Sequence, residues 1–122
     1  MANEITYSAT ITVRKGELSK TLNFSDVSSL SASPVYCAGG VQNVGTTEEA
    51  VAVGDVASAG FAYFKNVDAT NYVQLGAMNG GTFVPFVKLT AGQACVLPLG
   101  TSAPYAKANT AAVALDYFIF SA

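Results

Sequence analysis

The sequence predicts an all-β chain folded as an antiparallel sandwich of two sheets, and three observations lead to this prediction. Short runs rich in β-branched and aromatic residues recur along the chain, and such residues fit a pleated surface. Glycine, asparagine, aspartate and proline separate these runs, as tight turns require. No segment shows a sustained helical period. The length of 122 residues is that of one domain, so we expect a single β-sandwich domain over residues 1–122.

The first predicted hairpin has the most regular strand pattern of the chain. From Glu4 to Arg14 apolar side chains alternate with hydroxyl side chains, so the two kinds lie on opposite faces, and we expect the apolar face to point to the core. The hydroxyl side chains are Thr6, Ser8, Thr10 and Thr12. Lys15-Gly16 then offers a tight turn before the returning strand, Glu17 to Phe24. The serine-rich segment Ser25 to Pro34 is predicted to be a loop that crosses between the sheets.

Shorter strands are predicted in the middle of the chain. The first covers Val35 to Ala38 and is closed by Gly39-Gly40, and others follow at Val41 to Gly45 and Glu48 to Val53. The segment from Gly60 to Leu99 is a ladder of apolar runs and turns that supplies four more strands. These strands are Gly60–Asn66, Asn71–Ala77, Thr82–Leu89 and Gln93–Leu99.

The last third of the chain adds the information that favours a jelly roll. Pro85 and Pro98 lie in strand-like runs, and proline cannot donate to a ladder, so they indicate an edge, a bulge or a strand end. Gly100 to Asn109 is predicted to be a long loop. Ala111 to Phe120 is a strand apolar on nearly both faces, hence central in the sandwich or covered by another subunit. About eight or nine short strands favour a jelly roll over a closed barrel.

The composition favours a chain that is covered by neighbours. Hydrophobic residues make up 51% of the sequence and charged residues only 11%, against about 25% charged in typical soluble domains. A surface this poor in charge suits an assembly component. We therefore expect a homo-oligomer, either a dimer or a trimer.

The distribution of charge and hydropathy argues against two classes of partner. The six basic residues are scattered, whereas phosphate binding needs a basic patch, so we expect no nucleic acid. No run approaches the roughly 20 apolar residues of a membrane-spanning helix, so we expect no membrane. The first residues lack the features of a secretory signal, and synthesis in a cytoplasm is expected.

Residues that commonly carry chemistry are sparse, and we expect no enzymatic activity, cofactor or metal. The sequence contains no histidine, which removes the usual triads and imidazole ligands. Glu48-Glu49 is the only adjacent acidic pair, and neighbours on a strand point to opposite faces. Asp68 is interpreted as a turn former that binds its own backbone. Cys37 and Cys95 have no CxxC spacing; buried free thiols are favoured in a cytoplasmic product, although the sequence leaves their pairing open.

The aromatic residues have two interpretations. Aromatic side chains at strand spacing usually fill a core, and a platform for stacking sugars is the alternative. The six in question are Phe61, Tyr63, Phe64, Tyr72, Phe83 and Phe86. Tyr105, beside Pro104 in a predicted loop, is the aromatic residue that we most readily place at an interface.

Three segments carry a resemblance to a known group of proteins. They are GDVASAGFAYFKNVDATNYVQLG, GGTFVPFVKLTAGQACVLPLG and TSAPYAKANTAAVALDYFIF. A strand, an N-x-D-A-T-N-Y turn, a glycine hairpin, an L-x-A-G turn and an APYAKA loop follow one another in them. In this order they resemble small virion-associated structural proteins of tailed bacteriophages, over the chain from about Val41 onward.

The resemblance implies a jelly-roll-like β-sandwich in a virus particle, with no catalytic residues to carry over. The expected function is that of a capsid decoration, or cement, protein that binds the major capsid protein or other virion proteins and stabilises the outer lattice. The alternative is a module of the tail, baseplate or fibre that binds host-surface glycans. Its expected location is the virion, after synthesis in the bacterial host. The candidate interface residues are Thr6, Ser8, Thr10, Thr12, Leu30, Pro34, Pro104 and Tyr105.

Overall fold

The computed structural model describes residues 5–29, 36–100 and 102–121, and these residues form ten strands and no helix. The chain is all-β with antiparallel sheets, as predicted. It divides into two compact units, Met1–Ser31 and Ala32–Ala122. The prediction of one domain over residues 1–122 stays a prediction. Nowhere in the described residues is there a helix long and apolar enough to cross a membrane.

The first unit is a long two-stranded hairpin. Strand β1 (Ile5–Lys15) pairs antiparallel with β2 (Leu18–Ser28) in an unbroken ladder. Gly16 lies in the two-residue turn with a φ of 60°, a conformation that glycine adopts without a steric penalty. Residues 25–28 are strand and not the start of a loop, because the register set by this turn pairs them with the first residues of β1. Residues 30–34 of the predicted loop, and Val35 at the start of the next predicted strand, lie outside the described residues.

The second unit contains two four-stranded antiparallel sheets. The first sheet has the order β3 (Cys37–Val44), β10 (Val113–Ser121), β5 (Ala59–Asn66), β8 (Ala94–Pro98). The second has the order β4 (Glu49–Ala50), β9 (Tyr105–Ala108), β6 (Val73–Asn79), β7 (Thr82–Leu89). The four strands predicted between Gly60 and Leu99 are all present, with ends shifted by a few residues.

The core of this unit is built from the inward-facing residues of both sheets. The largest side chains in it that are almost completely buried are Phe64, Leu75, Leu115 and Ile119. Strand β10 lies between β3 and β5, which confirms the prediction that this apolar strand is central. Its inward residues are buried, whereas Phe118 on its other face is exposed.

Pro85 and Pro98 lie where a residue without a backbone N–H is tolerated in a sheet. Pro85 lies in the edge strand β7, beside an irregularity between Leu75 and Gly76. Pro98 is the last residue of β8, which is also an edge strand. At Gly76 an added Cβ would collide with the carbonyl oxygen of Val84, so the two strands approach closely here because this residue has no side chain.

In the second unit three more sequence predictions about elements are wrong. Strand β3 continues through Gly39 and Gly40 instead of ending there, since the Phe118 ring of the neighbouring strand occupies the space of a Cβ at Gly39. The predicted loop Gly100 to Asn109 contains strand β9, which pairs with both β4 and β6. The predicted strand at 48–53 is reduced to the two residues of β4, because only these pair with β9.

Candidate interaction surface

The described residues hold no cluster of metal-binding side chains. They include no group of three or more cysteine, aspartate or glutamate side chains close enough to hold a metal ion. Glu49, one residue of the acidic pair Glu48-Glu49, has a structural role. Its carboxylate accepts hydrogen bonds from the Gln42 side chain at 2.9 Å and from the Gly45 N–H at 3.1 Å.

One face of the hairpin brings together the four hydroxyl residues predicted from β1. Thr6, Ser8, Thr10 and Thr12 are all exposed on it. The ladder places polar side chains of β2 opposite most of them, and we call this surface the hydroxyl face. Its uncharged polar members include Thr6, Ser8, Thr10, Thr12, Thr21, Asn23 and Ser25, and the register also places Arg14, Ser19 and Val27 on it. The residues from β2 were missed by sequence reasoning, since only the register shows which of its residues share this face.

The opposite face of the hairpin is apolar, and it is exposed. We call it the apolar face; its apolar members are Ile5, Tyr7, Ala9, Ile11, Val13, Leu18, Leu22 and Phe24, and the register also places Lys15, Lys20, Asp26 and Ser28 on it. Ile11 is 59% exposed, Leu22 56% and Phe24 54%. The expectation that this face points to the core is therefore wrong for these residues. The Phe24 ring packs edge-on against that of Tyr7, with centroids 5.7 Å apart.

The exposed side chains of the apolar face could gain free energy if a partner covered them. A two-stranded hairpin is marginally stable by itself in water, because too little of its apolar surface is removed from solvent. Burying a large apolar side chain completely is worth about 1.5–3 kcal/mol. Each of the most exposed members of the apolar face could therefore gain about 1 kcal/mol from a covering partner. A binding role for the hairpin would account for its length and patterning.

The remaining predicted interface residues have different placements. Pro104 is buried, and its carbonyl oxygen accepts a hydrogen bond from the Val51 N–H at 3.1 Å. Tyr105 is half-buried as the first residue of β9. Neither lies in an exposed loop as predicted, because β9 draws this segment into the second sheet. Leu30 and Pro34 lie outside the described residues, so their role stays a prediction.

The second unit has its own exposed aromatic residues. Phe118 is 42% exposed on the outer face of the first sheet and stacks on Phe120, with centroids 6.3 Å apart. Phe86 is 67% exposed. It is the extra residue of β7 at the bulge, where Val87 pairs with Leu75 and Pro85 pairs with Gly76. The prediction that Phe86 fills the core is wrong for this reason, whereas Phe61 and Phe64 are buried as expected.

A polar network fixes the connection between β5 and β6. The Asn66 side chain is fully buried and donates to the carbonyl oxygens of Asn71 and Leu89, at 2.8 and 2.9 Å. Its own oxygen accepts from the Asp68 N–H at 2.8 Å. The Asp68 carboxylate accepts from the backbone N–H groups of Asn71 and Thr70, which lowers the pKa of Asp68. Asp68 is thus a turn former, as predicted.

Tyr117 and the two cysteines are further titratable groups of the second unit. The Tyr117 hydroxyl donates to the Ala52 carbonyl oxygen at 2.7 Å, and burial raises its pKa. Cys37 and Cys95 are both free thiols, on β3 and β8 at opposite edges of the first sheet. Burial raises the pKa of Cys95. Cys37 is exposed, contrary to the expectation of two buried thiols, because it begins an edge strand.

Comparison of the chain with protein-family models, with curated proteins and with solved structures finds no match.

Proposed function

We propose that this protein is a structural component of a tailed-phage virion, most concretely a decoration protein that binds the outer capsid lattice and stabilises it. The observation that carries the proposal is the hairpin, which exposes a hydroxyl face, with Arg14 as its one charge, and an apolar face over two strands of eleven residues each. Such an element offers a broad area for contact with another protein. The sequence resemblance supplies the class of partner, namely the major capsid protein or other virion proteins.

The low charge supports a cementing role. A decoration protein spreads over several coat subunits, and its many modest contacts add through the symmetry of the particle. The hydroxyl face provides such contacts without depending on ion pairs, which salt screens. Binding to particles should therefore change little as the salt concentration rises.

We also propose that the second unit is a jelly roll, as expected from the sequence. Its eight strands support this through their order. Successive strands alternate between the two sheets, with β3, β5, β8 and β10 in the first sheet and β4, β6, β7 and β9 in the second. In the described part of this unit, the hairpin β6–β7 is the one place where two consecutive strands lie in the same sheet. Two interleaved Greek keys produce this wrapped pattern.

The direct experiment compares purified particles that contain and lack the protein. Particles with the protein should withstand a higher temperature before they release DNA, and adding the protein back should restore that temperature. In the same assay Thr10→Arg should reduce binding, because it places a charge in the centre of the hydroxyl face. Thr82→Arg, at an exposed threonine of β7, is the matched control and should bind normally. Equal heat resistance with and without the protein would rule out cementing.

The second candidate is a tail, baseplate or fibre module that binds host-surface glycans, and the exposed ring of Phe86 favours it. Exposed aromatic rings can stack on the apolar face of a sugar. Glycan binding that is lost on Phe86→Ala would support this candidate. The copy number per particle separates the two: hundreds of copies indicate the capsid, and about a dozen or fewer indicate the tail.

A further inference from the structure

The apolar face of the hairpin carries one pair of opposite charges placed symmetrically about its midpoint. Its six rows of paired residues run from Ile5 and Ser28 at the base to Lys15 and Leu18 at the turn. Asp26 lies in the second row from the base, and Lys20 lies in the second row from the turn. The two central rows are entirely apolar. Asp26, the single acid of these rows, and Lys20 are therefore equally far from the midpoint of the face, on opposite sides of it, and Lys15 adds a second cation in the last row at the turn.

This pattern matches a two-fold arrangement of two copies. If two hairpins pack face to face with strands antiparallel, a two-fold axis across the strands places β2 of one copy over β2 of the other. The row of Asp26 then meets the row of Lys20 in the second copy, and the reciprocal pair forms at the other end. Leu22 meets the second copy's Phe24 in the centre. Two sheets packed at about 10 Å leave room for these side chains to interdigitate.

The other face-to-face arrangement is disfavoured by the same charges. A two-fold axis parallel to the strands places each row on the same row of the second copy. The two Lys20 ammonium groups would then share one end and the two Asp26 carboxylates the other, and like charges in one row repel. Within one hairpin the two groups cannot pair, because six residues of a strand separate them by about 20 Å.

We propose that the apolar face of the hairpin binds the same face of a second copy of this chain, antiparallel, with Lys20 of each copy opposite Asp26 of the other. The dimer covers the exposed side chains of the two apolar faces and leaves both hydroxyl faces on the outside. The proposal does not depend on the proposed function, since the dimer forms in solution without a particle.

Sedimentation equilibrium of charge variants tests the pairing. The protein should dimerise, and Lys20→Asp or Asp26→Lys should each raise the dissociation constant by about tenfold or more, because each creates two like-charge contacts. The double variant, K20D with D26K, exchanges the charges and should restore the dissociation constant to within about threefold of the original. Arg14→Glu on the other face is the control and should leave it unchanged. A monomer at all concentrations up to about 100 μM, or a double variant weaker than both single variants, would overturn the proposal.

A distance measurement tests the orientation without altering the apolar face. A spin label at Ser19→Cys, in a Cys37→Ser, Cys95→Ser background, lies near the turn on the outer side of the hairpin. Antiparallel packing separates the two labels by about 30 Å, since the turns lie at opposite ends of the dimer. Labels within about 20 Å would indicate parallel packing and refute the proposed arrangement. Leu22→Asp should abolish the dipolar signal, and a signal that survives it would show that another surface forms the dimer.

Discussion

Replacing Asn66 with alanine should destabilise the second unit more than any other single removal of a polar side chain there. The side chain is fully buried and makes three hydrogen bonds to the backbone. Its loss leaves the buried carbonyl oxygen of Leu89 without this donor, which costs about 1–3 kcal/mol, and the two other bonds are worth about 0.5–1.5 kcal/mol each. The expected loss is about 3 kcal/mol, a large part of the 5–15 kcal/mol that is typical of a domain.

Urea unfolding followed by tyrosine fluorescence measures this loss. With a slope of about 1–3 kcal/mol per molar urea, the midpoint should fall by roughly 1–3 M. Asn43→Ala, at an exposed position of β3, is the matched control and should change stability by less than about 0.5 kcal/mol. If the two variants unfold at the same urea concentration, the network around Asn66 does not stabilise the fold and the reasoning is refuted.

Asn66→Asp provides a second test of the same network. The substitution keeps the size of the side chain and the oxygen that accepts from the Asp68 N–H. It replaces the amide NH₂ group, which donates both hydrogen bonds, with a carboxylate oxygen that faces the carbonyl oxygens of Asn71 and Leu89. The folded state should therefore raise the pKa of the introduced acid, so its protonated form is favoured in the fold. The variant should be least stable at neutral pH and should recover part of its stability on acidification, as measured by the same unfolding assay. Equal destabilisation at all pH values would contradict this account.

Three further predictions address other positions. Gly76→Ala should lower the free energy of unfolding by about 3 kcal/mol or more, because the new Cβ collides with the backbone carbonyl of Val84, and a loss below about 1 kcal/mol would contradict the close approach. The backbone bonds that lower the pKa of Asp68 stabilise the fold above the ordinary aspartate value of 3.8, and this contribution is lost as the pH falls through the lowered pKa. The stability difference between the natural protein and Asp68→Ala should thus shrink on acidification, and a constant difference would refute it. In the folded protein Cys37 should react with a maleimide about tenfold faster than Cys95, as peptide mass spectrometry would show, and similar rates would argue against their different burial.

The parts of the fold that were predictable depend on neighbouring residues. The alternation in β1 and the turn at Gly16 are local patterns, and both are found where the sequence places them. Pro85 and Pro98 indicated edges and bulges because the missing N–H restricts proline to these places. Asp68 was recognised as a turn former for a similarly local reason.

The parts that were not predictable depend on residues distant in sequence. Gly39 and Gly40 have the composition of a turn, yet they continue a strand, because the ring of Phe118 from a partner strand covers Gly39. Strand β9 was missed since its four residues are strand-like only between β4 and β6. The exposure of Phe86 required the bulge, which appears only in the pairing of β7 with β6.

For the candidate interaction surface the division is the same. The sequence alone determined that the first strand has a hydroxyl side and an apolar side, because side chains alternate along any strand. Only the tertiary structure decided that the apolar side stays exposed, and that Asp26 and Lys20 lie symmetrically about its midpoint. Register and burial are properties of pairs of strands and not of one strand, since each depends on which distant residues lie opposite or above.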